Sequence, residues 1–329
     1  MRQKMKAITT LLLCLLLLAG AVAPLTGCGE GKHPQGDAAT TIVCTSFASF
    51  DFARSLLASY TENGGVGAVQ LTLLGTPGQD MHSYEPTAKD IITLASADVI
   101  IYTGMESWLN AALSSAGNTS AIRVSMMETC DVPAADHDHA HDHAHDHDHG
   151  DDACTLIGED EHVWLSVENA IRITRGIADA LKQADEANAA AWESCAIRYM
   201  ALLADLRVAY ATAMETVSRK TLVLADRNPF AYLFRELGIE CVAAFPGCSS
   251  ETSASFETQM KLIEHTKTHE LPYIFVMEGS DEKVAGVVAA ETGAGILTLH
   301  SLQVVTDTEN TTYLTVMKNN LENLKKALQ

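Results

Sequence analysis

Seven of the chain's 13 histidines fall in one stretch, residues 136–150, where His137, His139, His141, His143, His145, His147 and His149 alternate with Asp and Ala. Imidazoles and carboxylates together suit borderline divalent ions such as Zn2+, and the alternation keeps donors close without fixing a coordination geometry. Such a segment is expected to hold several ions weakly rather than one tightly. Three other histidines stand alone at the ends of predicted elements. His82 lies in Gln79-Asp80-Met81-His82-Ser83-Tyr84-Glu85-Pro86 beyond a strand, His162 lies in Glu161-His162-Val163-Trp164-Leu165 ahead of a helix, and His300 directly follows a strand. Ligands of open α/β sheets collect beyond the carboxyl ends of strands. Taken singly, each would read as a hydrogen-bonded structural histidine; taken together, they read as one metal site.

The elements that must position these residues alternate along the chain. Residues 41–46, 69–74 and 98–102 read as strands, 50–61 and 89–96 as helices, and after strand 122–126 the pattern stops until a helix over 167–183. Strands alternating with helices predict a parallel sheet. The stretch 186–217 has no Gly or Pro and carries Trp192, Cys195, Tyr199, Leu202, Leu206, Tyr210, Met214 and Val217 three or four apart. That spacing predicts a single helix of about eight or nine turns. Strands then recur at 221–225, 239–243, 273–277 and 295–299, with helices at 230–237, 255–268, 283–292 and 313–328. The expected fold is α/β: two similar lobes with mostly parallel central sheets, an N-terminal lobe over 40–185 and a C-terminal lobe over 218–329, joined by one long rigid helix over 186–217.

The N-terminus indicates a compartment. Arg2, Lys4 and Lys6 precede an apolar run from residue 8 to 23, shorter than the roughly 20 residues of a bilayer span, as in a secretory signal. Leu25-Thr26-Gly27-Cys28 looks like a bacterial lipobox, which makes 1–27 a signal peptide, Cys28 the lipidated first residue of the mature chain, and 28–39 a tether. The protein is therefore expected on the extracytoplasmic face of a cytoplasmic membrane, held by lipid. Outside the cell Cys130 could pair with Cys154 and Cys241 with Cys248, or the thiols could stay free. With 22 Lys and Arg against 42 Asp and Glu, the formal charge of −20 repels phosphate backbones and favours cations, which excludes nucleic acid as a partner.

His82-Ser83-Tyr84-Glu85-Pro86 and Glu161-His162-Val163-Trp164 resemble the first two ligand motifs of the metal-binding lipoproteins of zinc and manganese ABC importers. The family's first motif is a His followed by Ser or Thr, an aromatic, Glu and Pro; its second is usually Asp-Pro-His-Val/Ile-Trp. The resemblance runs from about residue 41 to the C-terminus, and an acidic His-rich insertion between the motifs is similar to the zinc branch. It implies a monomeric solute-binding protein that captures Zn2+, with Mn2+ as the alternative, between two lobes and delivers it to an ABC permease, without covalent chemistry. In the second lobe the match departs from the pattern. The family's third ligand, commonly His or Glu, stands after that lobe's first strand, and alignment on Phe230 and Tyr232 puts Arg227 there. Arginine stays protonated and does not ligate metals. The fourth ligand, often Asp, is replaced by His300. The resemblance thus implies a variant site of His82, His162 and His300 plus a carboxylate or water, with Asp226, Glu251 and Glu278 as the carboxylates to test, in that order. Three nitrogens and at most one carboxylate suit zinc better than manganese, which takes more oxygen.

Two other readings use the same residues. In a zinc-buffering surface lipoprotein or adhesin the segment 136–150 would be the active part. A zinc hydrolase would also use three His and a water, but the chain has no HExxH, GxSxG or P-loop pattern, so no enzyme is expected.

Overall fold

A computed structural model describes residues 39–130, 160–247 and 254–329. The signal segment with Cys28, the His-rich stretch, Cys154, Cys248 and Glu251 lie outside the described residues. The N-terminal lobe contains β1 (Thr40–Cys44), α1 (Phe47–Leu57), β2 (Val69–Leu73), α2 (Ala88–Ala95), β3 (Val99–Tyr102), α3 (Leu109–Ala116), β4 (Ile122–Ser125), α4 (Met126–Thr129) and α5 (Val167–Ala184). A long helix, α6 (Ala189–Thr216), leads into β5 (Thr221–Asn228), α7 (Ala231–Leu237), β6 (Glu240–Pro246), α8 (Phe256–Thr268), β7 (Tyr273–Met277), α9 (Lys283–Thr292), β8 (Gly295–Leu299) and α10 (Tyr313–Leu328). Both sheets are parallel and have the same order, β2-β1-β3-β4 and β6-β5-β7-β8.

Parallel sheets must be covered on both faces, and the strands read accordingly as nearly unbroken apolar runs. On β1, Ile42 and Cys44 face one core while Val43 faces another; on β5, Leu222 and Leu224 oppose Val223 and Ala225 in the same way. This period of two sends the inner faces of both sheets into one continuous core, which also holds Phe52, Trp192, Phe230 and Tyr313. Smaller cores lie under the outer helices of each lobe. The thiols of Cys44, Cys130, Cys195 and Cys241 are all buried, and burial pushes the Cys44 thiol up.

The long helix is one element, but its buried seam differs from the expected one. Trp192, Ala196, Tyr199, Leu203, Leu206, Tyr210 and Ala213 are buried at alternating steps of four and three, whereas Leu202 is 51% exposed. A seam continuing from Tyr199 by four residues lands on Leu203, and a residue one position earlier is turned by about 100° toward solvent. Upstream, Asp185 accepts from Trp192 Nε1 at 3.0 Å and from the Tyr60 hydroxyl at 2.9 Å, which ties the α5–α6 junction to the N-terminal lobe. Residues 186–188 form a 3-10 turn ahead of the helix proper. Helix α3 and the extension of β5 past residue 225 were not announced by periodicity; the extension follows a bulge between Leu224 and Arg227.

The lobes are stitched together away from the helix as well. Buried Asp51 on α1 accepts from the backbone N–H of Tyr313 at 2.6 Å, the first residue of α10, while Arg54 pairs with Asp51 and donates to the Thr311 carbonyl at 2.5 Å. Burial lifts the Asp51 carboxyl above its ordinary range, with the Tyr313 N–H and Arg54 pulling the other way. The Gly78 N–H donates to the Val305 carbonyl at 2.8 Å. Gly78 has φ = 83° and a Cβ there would press on the Thr306 side chain, so this crossing needs glycine. Among the described residues no helix is long and apolar enough to cross a membrane.

Candidate metal-binding site

His162 sits just before a 3-10 turn, Val163–Leu165, that leads into the Ser166 cap of α5. Its ring is fully buried. Nδ1 lies 2.5 Å from Asp160 Oδ1, which also accepts from the His162 backbone N–H at 2.9 Å. A buried N–H left without an acceptor would cost about 1–3 kcal/mol, so the carboxylate sets the tautomer: Nδ1 carries the proton and Nε2 carries the lone pair. A carboxylate placed in this way fixes the ring orientation and leaves Nε2 as the acceptor. Asp160 is itself held from the other lobe, because its carbonyl accepts from the Tyr232 hydroxyl of α7 at 2.8 Å. Trp164 packs edge-on against the imidazole at 5.2 Å between ring centroids and donates from Nε1 to the Ser301 carbonyl at 2.9 Å.

A cleft between the lobes runs past these residues. Asp80 and Met81, the two residues before His82, wall it together with Glu161, Trp164 and Gln303. The His82 backbone lies in the 3-10 turn Met81–Ser83, placed after β2 as expected. Glu161 is nearly buried, with Oε2 3.2 Å from the Thr103 hydroxyl.

His300 follows β8 and is pinned by Asn320, which accepts from its N–H and donates to its carbonyl, both at 2.9 Å. Its Nδ1 accepts from the Leu302 N–H at 3.0 Å and stands 3.4 Å from Glu278 Oε1. In the neutral ring the proton is therefore on Nε2, the reverse of His162. Glu278 accepts from the Ser301 N–H at 2.9 Å and from its hydroxyl at 2.5 Å. Trp164, beside His162, is thus linked to His300 through Ser301 and Glu278. Asp226 is placed differently: Oδ1 accepts from the Arg227 N–H at 2.8 Å and Oδ2 from the Met277 N–H at 3.3 Å, joining the ends of β5 and β7. Arg227 lies past the bulge on β5, paired in register with Phe245. Among the described residues no three His, Cys, Asp or Glu side chains converge on one point.

Residues 52–327 match the model of the zinc-uptake complex component A periplasmic family, ZnuA. The chain belongs to the ZnuA family. It is 31% identical over 273 residues to a protein of Treponema pallidum (strain Nichols), spanning 82% of this chain and 84% of that one. It is 29% identical over 324 residues to the high-affinity zinc uptake system protein ZnuA of Bacillus subtilis (strain 168), 95% of this chain and 97% of that one. Among solved structures, the metal-dependent lipoprotein YcdH of Bacillus subtilis matches with a TM-score of 0.69 at 26% identity, over 88% of this chain and 99% of that one.

The family implied by the two histidine motifs is the one found. What those motifs did not reveal is the support around them in this ZnuA-family chain. Asp160 and Glu161 stand beside His162 in the sequence, and Asp160 could have been noticed as an acidic neighbour of a candidate ligand. Gln303 had no such signal, because an amide is not a residue type that a search for metal donors selects.

Proposed function

We propose that this ZnuA-family chain is the extracytoplasmic binding protein of a zinc importer, capturing Zn2+ in the interlobe cleft and presenting it to an ABC permease. The observation that carries this reading is His162: a buried imidazole whose Nδ1 is held by Asp160 and whose Nε2 lies against Gln303 of the C-terminal lobe. In this reading His82 and His162 supply nitrogens from the N-terminal lobe and His300 from the C-terminal lobe. Glu278 is the first carboxylate to test, since it stands beside an imidazole, with Asp226 next. Water or Glu251 remains as a completing ligand. His300 must give up its Leu302 hydrogen bond to join, either binding through Nδ1 or moving its proton there beside Glu278, which makes it the weaker contributor. Mn2+ is the alternative cargo, at lower affinity for a nitrogen-rich set. The reading places the mature protein on the outer face of the membrane through a lipid on Cys28, as a monomer, with the histidines of 136–150 collecting ions weakly ahead of the cleft. No covalent step is involved.

The relatives' zinc names and the acidic field of −20 support this reading. The test is a metal-loaded crystal with anomalous scattering at the zinc edge, paired with competition titration of His82→Ala, His162→Ala and His300→Ala. Shared density among the three rings and large affinity losses are expected. If zinc affinity survives all three changes but disappears on deleting 136–150, the buffering or adhesin reading replaces this one.

A further inference from the structure

The nitrogen of His162 that the proposed site would offer to zinc is already engaged. Gln303 Nε2 lies 2.5 Å from His162 Nε2. With the ring proton on Nδ1, only the amide NH2 can make this contact, as donor to the lone pair. The segment that delivers Gln303 is held in an uncommon shape. Leu302 has φ = 65° although it is not glycine, and its side chain is 1% exposed. A left-handed residue of this kind persists only where its surroundings over-determine it. Here the Leu302 N–H donates to His300 Nδ1 at 3.0 Å, and the Gln303 N–H donates to the Ser301 hydroxyl at 3.2 Å. Two residues on, Val305 is tied to Gly78 in the N-terminal lobe.

We propose that Gln303 is an amide latch: its NH2 group holds the His162 lone pair across the cleft, and it must withdraw before an ion can bind there. The latch rests on the reading of His162 as a zinc ligand. It lowers zinc affinity by the free energy of one buried hydrogen bond. It also makes the turn 300–303 the part of the C-terminal lobe whose hydrogen bonding differs between empty and loaded protein, since Leu302 and Gln303 move with it.

The test is Gln303→Met, which keeps the side-chain length and removes the donor. Zinc competition titration is expected to show binding about three- to tenfold tighter than in the parent protein, the equivalent of one net hydrogen bond. In the metal-free protein, the 15N resonance of His162 Nε2 is expected to move toward that of an acceptor nitrogen with no donor. Thermal unfolding of the empty variant establishes that it folds, and Gln303→Asn, too short to reach, serves as a second variant if it does not. Unchanged or weaker zinc binding in the folded variants overturns the latch, and so does an unmoved Nε2 resonance. Failure of the underlying reading looks different: zinc then leaves the His162 resonance unperturbed in the parent protein itself.

Discussion

The two lobes repeat one strand order but finish their strand ends differently. In each sheet the order reverses about the first strand, so the crevice lies between β1 and β3 in one lobe and between β5 and β7 in the other. In both, a carboxylate bridges that crevice. Glu106 accepts from the Thr45 hydroxyl at 2.6 Å and from the N–H groups of Thr103 and Gly104, each at 2.8 Å; Asp226 accepts from Arg227 and Met277. These acids tie the strand ends of each sheet together. The lobes diverge one layer farther out. In the N-terminal lobe Asp160 takes Nδ1 of His162 and leaves Nε2 to Gln303, whereas in the C-terminal lobe a backbone N–H takes Nδ1 of His300. A repeated fold therefore does not repeat its outer hydrogen bonds: the two imidazoles are held as opposite tautomers.

The sharpest way to break this asymmetry is to remove each imidazole in turn. His162→Ala is expected to reduce zinc affinity by more than about 100-fold, His300→Ala by less, and Asp160→Asn by about 10- to 100-fold, as for other partners that orient a ligand. Equal losses for the two histidines in competition titrations would remove the distinction. The second comparison is of the bridging acids. Glu106→Ala, which orphans three donors, should lower unfolding free energy by about 3 kcal/mol, and Asp226→Ala by about 1–2 kcal/mol, both read from urea denaturation. If Asp226→Ala instead abolishes zinc binding in a stable protein, Asp226 is a ligand and the parallel with Glu106 is wrong. A smaller effect comes from Trp164→Phe, which loses the Nε1 bond to Ser301 and should cost about 1 kcal/mol while leaving the imidazole packed.

The smallest expected effect is acidic. At the C-terminal end of α8 the rings of His265 and the capping His269 lie 4.3 Å apart, and His265 Nε2 is 2.8 Å from the Thr221 hydroxyl. Burial holds the His265 ring below its ordinary pKa, helped by His269 and Lys261 and opposed by Glu240. The folded protein therefore binds fewer protons there than the unfolded chain, so this stability is present above the ordinary histidine range and declines as pH falls through about 6.5 and lower. His265→Gln should flatten the decline in thermal midpoint across that window. A steeper slope in the variant would contradict the sign.

Much of the fold was legible because its signals are local. Apolar runs bounded by polar turns gave all eight strands of the described residues, whereas the Ser46 cap starts α1 three residues ahead of the expected helix. The seam of α6 was misread at Leu202 because two adjacent leucines satisfy the same composition, and only packing against the rest of the core selects Leu203. His82 and His162 were recognisable from their neighbours within a few positions.

The sequence by itself determined the alternating α/β order, the long helix and the histidine-bearing motifs, since each depends on residues no more than a few turns apart. Tertiary structure decided the rest. Asp226 is a strand bridge because Met277, 51 residues away, brings an N–H to it, and the His162 lone pair meets Gln303 across a separation of 141 residues. Hydrogen bonds form wherever donors and acceptors come within about 3 Å. No spacing rule along a chain carries that distance, so the preparation of the site could be read only after folding had brought the two lobes together.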